Sequence, residues 1–283
     1  MAPRLVKLHA TGNDFLVQNA LRGDRAPARP DFARFVCDRH RGIGADGLIT
    51  LLPGTDGADA TMELRNADGG IAEMSGNGIR CLAWVAHRAG LGDGRRMVVD
   101  TAAGRRILEL ELDQKTNDVV FATCDMGPVT FDPARIPLDA PSPFDLAAEF
   151  HGVSYRGDAA GMGNPHLVLF VDDPATARVA QHGPHLEHDA RFPARTNVEF
   201  VARTAGEPDA VTMRVWERGV GETLSCGTGA CAAAAVLHRR GLVGERVRVH
   251  VPGGDLTVRL GDTIALGGPV ARVFETTLGT LGR

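Results

Sequence analysis

Only two of the 283 residues are lysine, Lys7 and Lys115, and only 5% are aromatic. The 31 basic residues are outnumbered by 35 acidic ones, and a formal charge of −4 provides no basic field for nucleic acid. No run approaches the roughly 18 apolar residues of a membrane span, and the opening MAPRLVKLHATGNDF has no apolar stretch of a signal peptide. Five cysteines, at 37, 81, 124, 226 and 231, make neither an even disulfide set nor a C-x-x-C metal pair. Nucleic acid, a membrane and a bound metal are therefore not expected. A reduced, cytoplasmic setting is, and there an unpaired thiol stays reactive. What is present is a globular composition, 43% hydrophobic and 23% charged, enough for one large domain or two ordinary ones.

The stretch ETLSCGTGACA (222–232) repeats an earlier one, AEMSGNGIRCL (72–82). Each sets a small nucleophile, Cys226 or Ser75, before Gly-x-Gly, and the two positions are 151 apart. The same offset lays TGNDFLV (11–17) on MGNPHLV (162–168) and MELRNADGG (62–70) on MRVWERGVG (213–221). It also lays AHRAGL (86–91) on LHRRGL (237–242), and MVV (97–99) on RVH (248–250). A constant offset over so many motifs indicates an internal duplication of about 150 residues.

Within each copy, short apolar or β-branched runs such as FLVQ, GLITLL and TMEL read as strands. The segments IRCLAWVAHRAG and ACAAAAVLHRRG read as helices ending at Gly90 and Gly241. Both are apolar on nearly all sides, so each copy is expected to wrap a sheet around a buried central helix. The fold class expected is α/β of the α+β type, with two pseudo-symmetric units and an active site in the cleft between them. The first unit is placed at residues 1–126, joined by a returning strand in 267–283, and the second at 127–266.

A nucleophile at a helix start meets free amide groups and the positive end of the dipole, which favour anions and lower a thiol's pKa. Glycines at the next alternate positions admit a ligand carboxylate close to the backbone. Two proton carriers on opposite sides of a carbon suit its inversion, one removing the proton and the other returning it. Blander readings stand beside this one. Ser75 is a favoured N-cap residue, Cys226 can be a buried structural thiol, and G-T-G-A-C-A fits a weak dinucleotide pattern without the acidic residue that should follow.

The stretches GNDF (12–15), RGIGADG (41–47), NADGGIAEMSGNGIRC (66–81), GNPH (163–166), TNVEF (196–200) and ERGVGETLSCGTG (217–229) closely resemble those of the diaminopimelate epimerase family. They span nearly the whole chain. The resemblance implies a cofactor-independent epimerase taking LL-2,6-diaminopimelate to the meso form, a small amino-acid substrate, and commonly a homodimer. Absence of pyridoxal phosphate agrees with having only two lysines. It further implies Cys226 as one catalytic acid/base, with Glu217 and His166 assisting the proton carriers. Asn13, Asn66, Asn164 and Asn197 match polar ligand contacts, and Gly76-Asn77 with Gly227-Thr228 match the carboxylate cradle. Glu217 also falls among the substrate contacts, and Arg218 matches the arginine that pairs with the distal carboxylate.

One departure bears on mechanism: the family usually has cysteine where this chain has Ser75. An aliphatic hydroxyl is a far weaker acid than a thiol. Three explanations stay open: a workable native serine, an engineered substitution, or drift toward another amino acid or another proton abstraction. The alternatives in function are accordingly a racemase or epimerase of a different amino acid, or a catalytically weak diaminopimelate-binding variant. Lesser departures are Thr11, where the family often has glycine, and Phe274, where it often has a tyrosine linked to dimer contacts.

Overall fold

The stretch ATMELRN (Ala60–Asn66) buries Ala60, Met62 and Leu64 and leaves the residues between them partly covered. That period of two is what a strand with one face on a core requires. The computed structural model describes residues 4–22 and 29–278. Along the chain run β1 (Arg4–Ala10), β2 (Asn13–Asn19), α1 (Pro30–Cys37), β3 (Gly47–Pro53), β4 (Ala60–Asn66), β5 (Ile71–Ala72), α2 (Gly76–Arg88), β6 (Arg96–Thr101), β7 (Gly104–Leu112) and β8 (Val119–Asp125). There follow β9 (Leu146–Phe150), β10 (Val153–Gly161), β11 (Pro165–Phe170), α3 (Val179–Glu187), β12 (Asn197–Arg203), β13 (Ala210–Glu217), β14 (Gly221–Thr223), α4 (Gly227–Arg239), β15 (Arg246–Val251), β16 (Gly254–Arg259), β17 (Ala265–Pro269) and β18 (Ala271–Thr277).

The chain divides into two compact units. One comprises the described residues up to Asp125 together with those from Gly267, and the other is Met126–Leu266. Residues 1–3 and 279–283, which the sequence assigns to the first unit and its returning strand, lie outside the described residues.

In the first unit the sheet runs from β18 through β1, β2, β3, β4, β6, β7 and β8 to β17, with β5 beside β4. β17 and β18 are consecutive in the chain, so the two ends of the sheet are drawn together around α2. That helix is buried from Gly76 to Ala86 and touches β1, β2, β3, β4 and β8. The second unit repeats the plan as β9, β10, β11, β12, β13, β15 and β16, with β14 beside β13 and α4 touching β10 to β13, β15 and β16. Even the exceptions repeat: β2–β3 and β11–β12 are parallel, as are β4–β6 and β13–β15, where most pairs are antiparallel.

The two buried helices start and end 151 residues apart, at 76 and 227 and at 88 and 239. The strands correct the constant offset. Phe15 pairs with Gly47 and its equivalent His166 with Asn197, an offset of 150 on the second strand. Likewise Val99 corresponds to Val249, so MVV lies on VRV (247–249), one residue short of RVH. A slip of one residue exchanges the two faces of a strand, and the shifted register keeps Met97, Val99, Val247 and Val249 all inward. The turn between β1 and β2 holds Thr11 at φ 48° and Gly12 at φ 82°, a left-handed pair that suits the twist of a two-residue hairpin. Glycine is the unstrained residue there, and Thr11 carries a β-branched side chain in that conformation.

Candidate active site

In the second unit Cys226 is the N-cap of α4: its backbone is extended and its Sγ accepts a hydrogen bond from Gly229 N at 3.4 Å. Glu217, at the end of β13, is bonded to the Thr223 hydroxyl and to Cys226. The dipole of α4 favours a thiolate, as the sequence leads one to expect. The surroundings decide otherwise. Burial pushes the thiol well above its ordinary pKa, the Glu217 and Glu199 carboxylates push the same way, and the bonds from Thr228 and Gly229 only oppose them. Burial also raises Glu217, against the bonds from Thr223 and Cys226. Both shifts run against a second negative charge at this position, so the pair suits passing a proton and not carrying two charges.

Behind Cys226 stands a chain of side chains. Its Sγ lies 3.6 Å from Thr228 Oγ1, which accepts from Asn164 Nδ2 at 3.4 Å. Asn164 Oδ1 meets His166 Nε2 at 2.9 Å, and His166 Nδ1 meets Glu199 Oε1 at 2.7 Å. His166 and Glu199 are fully buried, contributed by the neighbouring parallel strands β11 and β12. Asn197, also buried, donates to Pro165 O at 2.9 Å and accepts from Arg218 N at 3.0 Å. Its amide thus pins the turn that carries Arg218, whose exposed guanidinium donates to Ala194 O at 3.0 Å.

In the first unit Ser75 caps α2 in the same way, its Oγ accepting from Gly78 N at 3.0 Å. Asn13 donates to Asp46 Oδ2 at 2.6 Å and accepts from Asn77 Nδ2 at 3.1 Å, and Asn77 Oδ1 accepts from Arg80 at 2.8 Å. Arg80 is wholly buried and also donates to Gly76 O and Pro269 O. Asn13 to Asn77 is the counterpart of Asn164 to Thr228, 151 residues on in both members. Asn66 sits apart, exposed at the end of β4, its backbone closing a turn with Gly69 and Gly70.

Ser75, Gly76, Asn77 and Asn13 thus form one cluster, and Cys226, Gly227, Thr228, Asn164, His166, Glu217, Asn197 and Arg218 another. Three members were missed from sequence: Glu199, Arg80 and Asp46. The signals were present. Glu199 is an acid between apolar neighbours in NVEFV, and Arg80 interrupts an otherwise apolar helix.

Solved structures of like fold include a hydroxyproline epimerase from Agrobacterium vitis, with a TM-score of 0.75 at 19% identity over 98% of this chain and 93% of that one. A PhzF-family phenazine biosynthesis protein from Bacillus anthracis gives 0.70 at 14% identity, over 98% and 99%. Likeness at those identities speaks for the fold alone. Sequence similarity goes further. A diaminopimelate epimerase from Moorella thermoacetica is 42% identical over 275 residues, 95% of this chain and 97% of the relative. One from Magnetococcus marinus is 40% identical over 281 residues, 98% of each. The diaminopimelate epimerase profile matches residues 5–131 and 159–267. This chain belongs to the diaminopimelate epimerase family: it is an amino-acid epimerase of the lysine biosynthetic type.

Proposed function

We propose that the chain interconverts LL- and meso-diaminopimelate without a cofactor, by proton transfers at the α-carbon in which Cys226 serves one face and Ser75 the other. What carries this reading is the repeated cap. In each unit a nucleophilic side chain stands at the start of a buried helix, followed by Gly-x-Gly and tied to an asparagine (Asn13 or Asn164) through the residue two places on. The amide groups of the two first turns suit an α-carboxylate whose charge deepens as the adjacent carbon loses its proton. Glu217 and His166 assist the proton carriers, Glu217 by exchanging the thiol proton of Cys226 and His166 by holding Asn164 and, through it, Thr228 beside the sulfur. Asn66, Asn197 and Arg218 complete the substrate contacts, Arg218 pairing with the distal carboxylate. We take the working form to be a cytoplasmic homodimer, to be checked by sedimentation.

Incubation of LL- and meso-diaminopimelate with the protein in deuterated water tests the reaction. Solvent deuterium should enter the α-position and the two isomers should interconvert, with no added cofactor. No exchange with either isomer would end this reading. A second reading, a diaminopimelate-binding chain of low turnover, rests on Ser75; it is favoured if one isomer exchanges with retention and neither inverts.

A further inference from the structure

The first unit shows what a helix start of this kind needs in order to pack. Beneath α2 lies Ile49 on β3, where a methyl group on Gly78 would lie 3.1 Å from Ile49 Cδ1; Phe15 on β2 pairs with Gly47, two residues before Ile49 and on the same face of the sheet. The strand registers place His166 and Glu199 at the equivalent positions beneath α4. There a methyl group on Gly229 would lie 2.6 Å from Glu199 Oε1 and 3.2 Å from Cys226 Sγ. An apolar pair in one copy is thus a histidine and a carboxylate in the other, both fully buried.

Stability does not explain the exchange. Burying a carboxylate is costly unless every lone pair is matched, and Glu199 Oε2 has no hydrogen-bond partner among the described residues. The phenylalanine and isoleucine of the first unit show that the fold accepts an apolar solution. Among the described residues the Glu199 side chain meets His166 Nδ1, at 2.7 Å. A bond at one imidazole nitrogen sets which way the ring faces and what the other nitrogen presents. Here the other nitrogen, Nε2, meets Asn164, and from there the contacts run through Thr228 to the thiol.

We propose that Glu199 is a positioning residue for proton transfer at Cys226, acting by fixing His166. The proposal rests on the reading of Cys226 as a proton carrier, and it assigns to the second unit alone a support that the first does not have.

The test compares wild type with Glu199→Gln and with the double variant His166→Phe/Glu199→Ile, which installs the apolar pair of the first unit. Three readouts are needed: kcat and KM for both isomers, thermal melting, and nitrogen-15 signals of the His166 ring in histidine-labelled protein. Glu199→Gln should lower kcat by about 10²-fold, the low end of what a positioned acid or base contributes, with KM little changed. Its His166 nitrogen signals should shift. The double variant should melt no lower than wild type and be at least as inactive, which keeps a folding defect from passing for a positioning role. Unchanged kcat and unchanged nitrogen signals in Glu199→Gln, with wild type fully active, would overturn the proposal and leave the proposed reaction standing. Wild-type protein that exchanges no α-proton would fell the reaction itself. A double variant that melts lower would make Glu199 a structural residue.

Discussion

Cys226 and Ser75 occupy one structural position and differ in what their surroundings ask of them. Burial and two carboxylates hold the Cys226 thiol protonated, so its alkylation by iodoacetamide at neutral pH should be slower than that of a free thiol. Replacing Glu217 by glutamine removes one of those carboxylates and should speed the reaction at fixed pH, read by peptide mapping; equal rates would show that the Glu217 charge does not set the thiol. Cys37, Cys81 and Cys124, each pushed up to about 12 chiefly by burial, should be slow for the same reason in both proteins. Ser75 has no thiol to tune. If it is the second proton carrier, Ser75→Cys should raise inversion by ~10²-fold or more while exchange at the Cys226 face changes little. Ser75→Ala, by contrast, should also cost about 1 kcal/mol as a lost N-cap, measured by denaturant unfolding.

At the scale of elements, α2 and α4 share a plan but differ in tolerance. Gly229→Ala sets a methyl group against Glu199 and the Cys226 sulfur, whereas Gly78→Ala meets Ile49 and the Ser75 side chain at 3.1 and 3.2 Å. Activity should therefore fall further in Gly229→Ala than in Gly78→Ala, with both purified and assayed side by side. The buried helices, their N-terminal nucleophiles and the glycines past their ends were legible in the sequence because composition and caps are local signals. Strand register is not local. A fixed offset of 151 sets Glu199 over Leu48, and only the paired strands show that it lies over Ile49, on the face beneath the helix. Arg80 was hidden for a related reason: nothing nearby in sequence reveals that Pro269, 189 residues on, returns to accept from it. Methionine at position 80 would leave the carbonyls of Gly76 and Pro269 and the Asn77 amide without their donor. We expect a loss of about 2–4 kcal/mol and a raised KM.

For the molecule as a whole, a carboxylate of the first unit ties stability to pH. Asp14, in the first unit, is raised by burial, but hydrogen bonds and charge from Arg39 and Lys7 outweigh this and hold it at about 2. A carboxyl group lowered on folding contributes its stability above its unfolded pKa, near 4, and loses it as the pH falls toward 2. After allowance for solvent screening this amounts to about 1–2 kcal/mol. Melting curves between pH 5 and 2 should show a slope that Asp14→Asn flattens, and an unchanged slope would assign the acid sensitivity elsewhere. The units differ in how the chain builds them. Met126–Leu266 is one uninterrupted stretch, while the first unit awaits β18 to cover β1. On the ribosome, where chains emerge at about 5–20 residues per second and N-terminal domains ordinarily finish first, that order is reversed. The half bearing Cys226 needs no residue beyond Leu266, whereas the other half is completed only once β18 has emerged.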